Sequence, residues 1–293
     1  MHKKFFGLVA GLAVLLSTVA SARALMIAPS PIAQRVANSK VVLVGKVIKF
    51  EDRVVEAEPS PGARQKMRYR IAIVKVQDPI MNPGGLTQVK VGVQIPPKPQ
   101  GGGGRPIRPP IGRRYPQFQL KVGEEYLLFL KEHHKANFLY GQMYFDSVLA
   151  TKKTAAIKKQ IADAKKFAKL LKDPMKNLDS KSAETRFDTA AMMVMKYRQY
   201  VPNGKLVPID AKVSKKILLA IANADWTKRY NFQELSPQRT FYMLGMRNTD
   251  GWTPPRPVRG QKNFTEVLNK AMQKWLKDNA DKFVIKKYEA PKK

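Results

Sequence analysis

Tyr126-Leu127-Leu128-Phe129-Leu130 is an unbroken apolar run, bracketed by Glu124-Glu125 on one side and Lys131-Glu132 on the other. A strand with one wet face alternates apolar and polar residues; a run without polar alternates reads as a strand buried on both faces. Working outward, the upstream stretches carry the alternating kind. Val89, Val91, Val93 and Ile95 alternate with Lys90, Gly92 and Gln94. Within Met67 to Val76, Tyr69, Ile71 and Ile73 fall on one face, Arg68 and Arg70 on the other. Val41 to Phe50 is rich in β-branched residues, with Val42, Val44, Ile48 and Phe50 on one alternating set. Phe138 to Tyr140 and Ser147 to Ala150 add short strands, and Asp78-Pro79 and Asn82-Pro83-Gly84-Gly85 mark turns between the second and third strands. About five strands at this spacing predict a small closed or partly open barrel.

From Lys152 onward the period becomes helical. Ile157, Ile161, Ala164, Ala168 and Leu171 form one amphipathic stripe, with lysines over much of the remaining surface and Asp173-Pro174 as the stop. Phe187, Ala190, Ala191, Val194 and Tyr197 mark a second helix, with Ser180 or Ser182 as N-cap. Val213, Ile217, Ala220, Ile221 and Ala224 mark a third, Pro237 to Met246 a shorter fourth. The last runs from about Asn263 to Phe283, with Phe264, Val267, Leu268, Ala271, Trp275 and Leu276 inward.

Charge is the unusual feature of the composition. Among 293 residues, 54 Lys and Arg stand against 22 Asp and Glu, a net charge of +32. The excess is spread along the chain: residues 1–150 carry 22 bases and 9 acids, residues 151–293 carry 32 and 13. Such a charge favours contact with nucleic acid, anionic glycan or membrane phosphate; the competing reading is a solubilising surface. With no cysteine, disulfide scaffolds, thiol catalysis, zinc-thiolate sites and cysteine-ligated iron–sulfur clusters are excluded.

The first 24 residues read as a secretory signal. Lys3 and Lys4 give the positive start, Phe5 to Leu16 an uncharged and mostly apolar run, and Ala20-Ser21-Ala22 and Ala22-Arg23-Ala24 the small-residue cleavage sites. Cleavage is expected after Ala22 or Ala24. The alternative, a membrane anchor, meets a run shorter than the roughly 20 residues a span needs. The mature protein is then expected outside the cytoplasm, periplasmic or secreted, with no transmembrane segment.

Residues 96–116 hold seven prolines, five glycines and no acid, with Lys98, Arg105, Arg108, Arg113 and Arg114 as cations. Little here can be buried to offset ordering entropy, so a mobile loop between two strands is expected. It is either a basic arm that folds over an anionic partner or a tolerated insertion.

Pro29-Ser30-Pro31, Gln34 to Val42, and Val44-Gly45-Lys46-Val47 resemble the opening of netrin-like domains, the group that includes the tissue inhibitors of metalloproteinases. Tyr69 to Val76 and Val122-Gly123-Glu124-Glu125-Tyr126-Leu127-Leu128-Phe129 keep the order of that family. The resemblance covers roughly Ile27 to Leu130 and implies an OB-like barrel. The family's inhibitors chelate a protease zinc through an N-terminal cysteine pinned by disulfides; here the interior position is Ala37 and the mature start would be Arg23 or Leu25, so no pinned wedge is expected. The whole chain is also similar to a group of exported proteins of planctomycete bacteria, which implies export and no particular activity.

The fold class expected is therefore α+β, an N-terminal OB-like antiparallel β-barrel over residues 25–150 followed by an all-α helical domain over residues 151–293. No nucleophile elbow, HExxH, phosphate loop or dinucleotide fingerprint is present. His133 and His134, adjacent at the end of a strand, would point to opposite faces of an extended chain and suit one metal poorly. Glu51-Asp52 and Glu124-Glu125 are adjacent acids that read as a strand end and as a pair split by alternation. Tyr69 and Phe50 share the apolar alternation, so burial is expected over stacking on bases.

These features point to a non-catalytic binding protein with no cofactor or metal. It would capture an anionic glycan, an envelope component or another protein, with nucleic acid a less natural target outside the cell. The candidate anion-binding residues are Arg105, Arg108, Arg113 and Arg114 on the loop, and Lys158, Lys159, Lys165, Lys166 and Lys169 on the first long helix. A netrin-like protein-interaction module, including a protease inhibitor, is the second reading; a hydrolase with dispersed groups is the third.

Overall fold

The run that opens the sequence becomes β4, Glu125–Glu132, and it pairs antiparallel with β1, Val41–Ala57. The computed structural model describes residues 29–96, 118–258 and 262–291. Within them β2 is Met67–Met81, β3 Gln88–Ile95, β5 Leu139–Tyr140 and β6 Ser147–Leu149. Together these make a six-stranded sheet in the order β1-β2-β3-β5-β4-β6, with β1 also bonded to β4. The β3–β5 contact is parallel; the others are antiparallel.

The two-sided burial expected of Tyr126 to Leu130 holds, and β1 shares it. Val42, Val44, Leu127 and Phe129 pack outward against Ile32, Val36, Ala164, Ala168, Ala191 and Met192. Val41, Leu43, Leu128 and Leu130 pack the other way, with Val74, Val91 and Phe118. Gly45 is required where β1 passes β2: a Cβ there would lie 2.6 Å from Val74 Cγ1 and 2.8 Å from Leu43 Cδ1. Past that point β1 is irregular, with register shifts between Val47 and Lys49 and again between Phe50 and Val54. The bulge between Val47 and Lys49 swings the alternation round, so Phe50 leaves the set of Val42 and Val44 and packs with Val47 in the inner core, while Ile48, at the bulge, is 42% exposed.

Asp78-Pro79 is not a turn. Both residues lie in β2, opposite Val44 and Leu43. Pro79 is tolerated because β3 pairs β2 only from Arg68 to Lys75, so no β3 partner is present for the missing N–H. The turn comes later, where Asn82, Gly84 and Gly85 all have positive φ.

Seven α-helices occur among the described residues: α1 Ile32–Asn38, α2 Ala155–Lys172, α3 Pro174–Leu178, α4 Ala183–Tyr197, α5 Ala211–Ala222, α6 Pro237–Met243 and α7 Phe264–Asp278. α1 and α3 were not foreseen. Asp173-Pro174 does end α2, but Pro174 also opens α3 at its first turn, with the Asp173 side chain capping Lys176 N–H. Of the two proposed caps for α4, Ser182 is the one used, accepting from Thr185 N–H. α7 stops at Asp278, short of Phe283, and Val267 is exposed while Met272 takes the inner position.

α4 is the shared helix. Phe187, Ala191, Met192 and Met195 face the sheet-side core, whereas Ala190, Met193 and Val194 enter a second core with Ile217, Ile221, Phe241, Trp275 and Leu276. Every residue from Phe187 to Met195 is buried as a result. The expectation of an all-α second half is corrected: β7, Lys205–Pro208, pairs antiparallel with β8, Lys286–Glu289. These strands lie far apart in sequence and are too short to show alternation. Ser30–Lys98 and Gln117–Lys293 form one compact unit.

Candidate functional site

Arg105, Arg108, Arg113 and Arg114 lie outside the described residues. The lysines of α2 are described, and they divide. Lys159 Nζ is 3.0 Å from Asp163, Lys165 Nζ 2.7 Å from Asp78, and Lys166 Nζ 2.7 Å from Asp188 and 3.1 Å from Glu184. Lys158 and Lys169 have no ion-pair partner among the described residues. The Lys166–Asp188 contact joins α2 to α4. Burial pushes the Asp188 carboxyl above its ordinary range although Lys166 pulls it down. Burial alone would lower the Lys166 ammonium, yet its two carboxylates raise it. The two partners differ because the Asp188 side chain is 10% exposed and that of Lys166 47%.

The histidines depart from expectation. β4 ends at Glu132, the chain turns, and His133 N–H is taken by the Phe138 carbonyl at 3.1 Å. Strand alternation therefore no longer applies, and the two rings stack with centroids 4.6 Å apart. His133 is 4% exposed, surrounded by Tyr69, Phe138 and Tyr140. Its Nδ1 accepts from the Lys135 and Ala136 N–H groups, which puts the ring proton on Nε2, an atom without a well-formed hydrogen bond. Burial, and then His134, lower its pKa below the ordinary histidine value, against the opposite pull of Glu58. Tyr69 is buried as expected; Phe50 is half-buried beneath the Arg70 guanidinium, 4.2 Å from the ring centroid. No group of three or more metal-ligating side chains occurs among the described residues.

A different place brings polar groups together. α1 and α4 end side by side, and the Gln199 side chain just past α4 donates to the carbonyl of Asn38 at the end of α1. Beside these ends lies an open cleft of about 380 Å³. Its cations are Lys131, the penultimate residue of β4, and Arg198, the C-cap residue of α4. Amides of Gln34, Asn38, Gln142 and Gln199 line it, Met195 and Met243 supply apolar surface, and Tyr200 stands beside them. The lining holds no carboxylate and neither histidine.

Each cation is held without being neutralised. Lys131 Nζ donates to Gln142 Oε1 at 2.7 Å. Burial lowers its pKa, and Asp146 acts in the opposite sense from beyond ion-pair distance. The Asp146 carboxylate accepts the N–H groups of Gln142 and Met143, and burial pushes its pKa up despite them. Arg198 lies across Gly245, whose φ of +67° and missing Cβ leave the guanidinium its space, and reaches the Tyr288 ring at 5.8 Å. On α1, next to Gln34 in sequence, Arg35 is buried, its Nη1 donating to the Phe145 carbonyl at 2.7 Å and its guanidinium over Phe129. Burial lowers it to about 10.

Sequence reasoning found none of the cleft residues. The traceable signal was local: Lys131 directly follows the buried apolar run, and Arg198-Gln199-Tyr200 directly follows the α4 stripe, polar groups at the ends of buried elements.

No described helix is long and apolar enough to cross a membrane. No protein-family model, curated protein sequence or solved structure matches this chain.

Proposed function

We propose that this is an exported, non-catalytic binding protein that captures an anionic partner. The observation that carries this reading is the cleft whose lining holds both Lys131 and Arg198 and no carboxylate, within a chain of net charge +32. Even complete pairing of the 22 acids would leave most of the 54 bases uncompensated. Long-range attraction would bring the anion, and the cleft would hold it. The partner is an anionic glycan or envelope component, and Arg105, Arg108, Arg113 and Arg114 add to the charge that attracts it. The test is binding of the full chain to dextran sulfate and to DNA across a salt series. Affinity that falls steeply with salt for both supports capture; little binding at low salt overturns it. Export is tested separately, by N-terminal sequencing of the extracytoplasmic protein, which should begin at Arg23 or Leu25.

A second reading is a netrin-like protein-interaction module. It is supported by the circuit of pairings β1 to β2, β3, β5, β4 and back to β1, which suits a five-stranded OB-like barrel. Inhibition of a zinc protease by the purified chain would favour it over capture.

A further inference from the structure

The cleft offers more than positive charge, and the remainder restricts what it can take. Four amides surround two cations. Gln142 Oε1 is occupied by Lys131 and Gln199 Nε2 by the Asn38 carbonyl. The Gln142 amide also bonds the Tyr140 hydroxyl, but the side chains of Gln34 and Asn38, with Gln199 Oε1, make no hydrogen bond among the described residues, so donors and acceptors are both on offer. Hydroxyl groups, which donate and accept, match such a set; a bare anion uses only half of it. The site also lies where α1 and α4 end, at the negative poles of both helices. A phosphate dianion is disfavoured there, whereas a single carboxylate can meet the Arg198 fork. Beside the polar groups lie Met195, Met243 and Tyr200, the last 71% exposed with its ring edge-on to Tyr288 at 5.8 Å. An exposed ring next to amides suits the C–H face of a sugar.

Building on the capture reading, we infer that the cleft is a subsite for a hexuronic acid unit of an acidic polysaccharide. Arg198 and Lys131 take the carboxylate, the amides take the hydroxyls, and Tyr200 takes the apolar face of the ring. The volume of about 380 Å³ lies at the lower end of the range of small-ligand pockets, in keeping with a short stretch of chain.

Calorimetric titration of the full chain with a galacturonic acid trimer tests this, with maltotriose as its neutral counterpart and inorganic phosphate as the anion alone. The trimer is expected to bind at least about tenfold tighter than either. Arg198→Gln should weaken the trimer by about tenfold or more, the scale of a charge-assisted bond, and Tyr200→Ala by about threefold to tenfold. Lys212→Gln, on an exposed position of α5, should leave it unchanged. Unaltered thermal midpoints show that the variants fold. Equal binding of phosphate or maltotriose, no trimer binding, or trimer binding indifferent to Arg198→Gln overturns the inference. Dextran sulfate separates the two levels: if it binds steeply with salt while the trimer fails, capture stands and the hexuronate subsite falls; if it fails too, both fall.

Discussion

The lysines of α2 and the cations of the cleft are similar chemistry in opposite circumstances. On α2, Lys159, Lys165 and Lys166 stand on an exposed helix face, yet each meets a carboxylate. In the cleft, Lys131 and Arg198 are partly covered, yet neither has an ion-pair partner among the described residues. A run of basic residues in sequence thus overstates what a partner would feel at α2, and two isolated cations understate it at the cleft. What distinguishes the regions is where the 22 acids fall.

The comparison breaks most visibly at Lys166. Lys166→Met leaves Asp188 buried without its partner and should cost about 2 kcal/mol in urea unfolding, less than for a fully buried pair because the lysine is half exposed. Lys158→Met, on the same helix, should stay within about 0.5 kcal/mol. If the two variants unfold alike, the division of the helix is wrong. Next comes Gly245→Ala, which sets a Cβ against Arg198 on a backbone of positive φ. It should lower stability by about 1 kcal/mol and displace the guanidinium, weakening anion binding at the cleft while α2 is untouched. Smaller again is the salt response. Lys158→Gln or Lys169→Gln should reduce the slope of log affinity for DNA against log salt by about one, whereas Lys159→Gln or Lys165→Gln should change it little.

The smallest effect is in pH. Burial holds the Asp188 carboxyl above its ordinary 3.8, so just above that pH the folded chain binds the proton more firmly than the unfolded one. The contribution of Asp188 to stability is therefore fully present below the ordinary carboxylate value and declines as pH rises through the folded value. In Asp188→Asn that decline should be missing when unfolding curves are compared across the acid range. A wild-type curve with the opposite trend relative to the variant would mean that the Lys166 contact, not burial, dominates the site.

Elements with a strong period were legible in the sequence. The two-sided strand at Tyr126 to Leu130 follows from composition alone, and the stripe and cap of α4 from spacing. β7 and β8 were not legible, because four-residue strands paired across most of the second half carry no local period. Pro79 misled for a related reason: it reads as a turn unless the end of β3 is known. The cleft was opaque in the same way. Its residues come from α1, β4, the segment after β5, the end of α4 and α6, and no spacing rule connects five elements. The lysines of α2 were visible, but the acids that meet them come from β2 and α4 as well as from α2 itself, so their engagement was not.

The placement of Phe129 and Leu127 has a consequence for the order in which the molecule is made. The outward face of β1 and β4 is complete once residue 132 has emerged, but the Ala164, Ala168, Ala191 and Met192 surfaces that cover it come later in the chain. Until α4 arrives, a growing chain presents a sticky, strand-edged surface of the kind that recruits chaperones or neighbouring chains. Fragments ending near residue 150 should inherit that stickiness permanently, so the second half acts toward the first as a built-in escort.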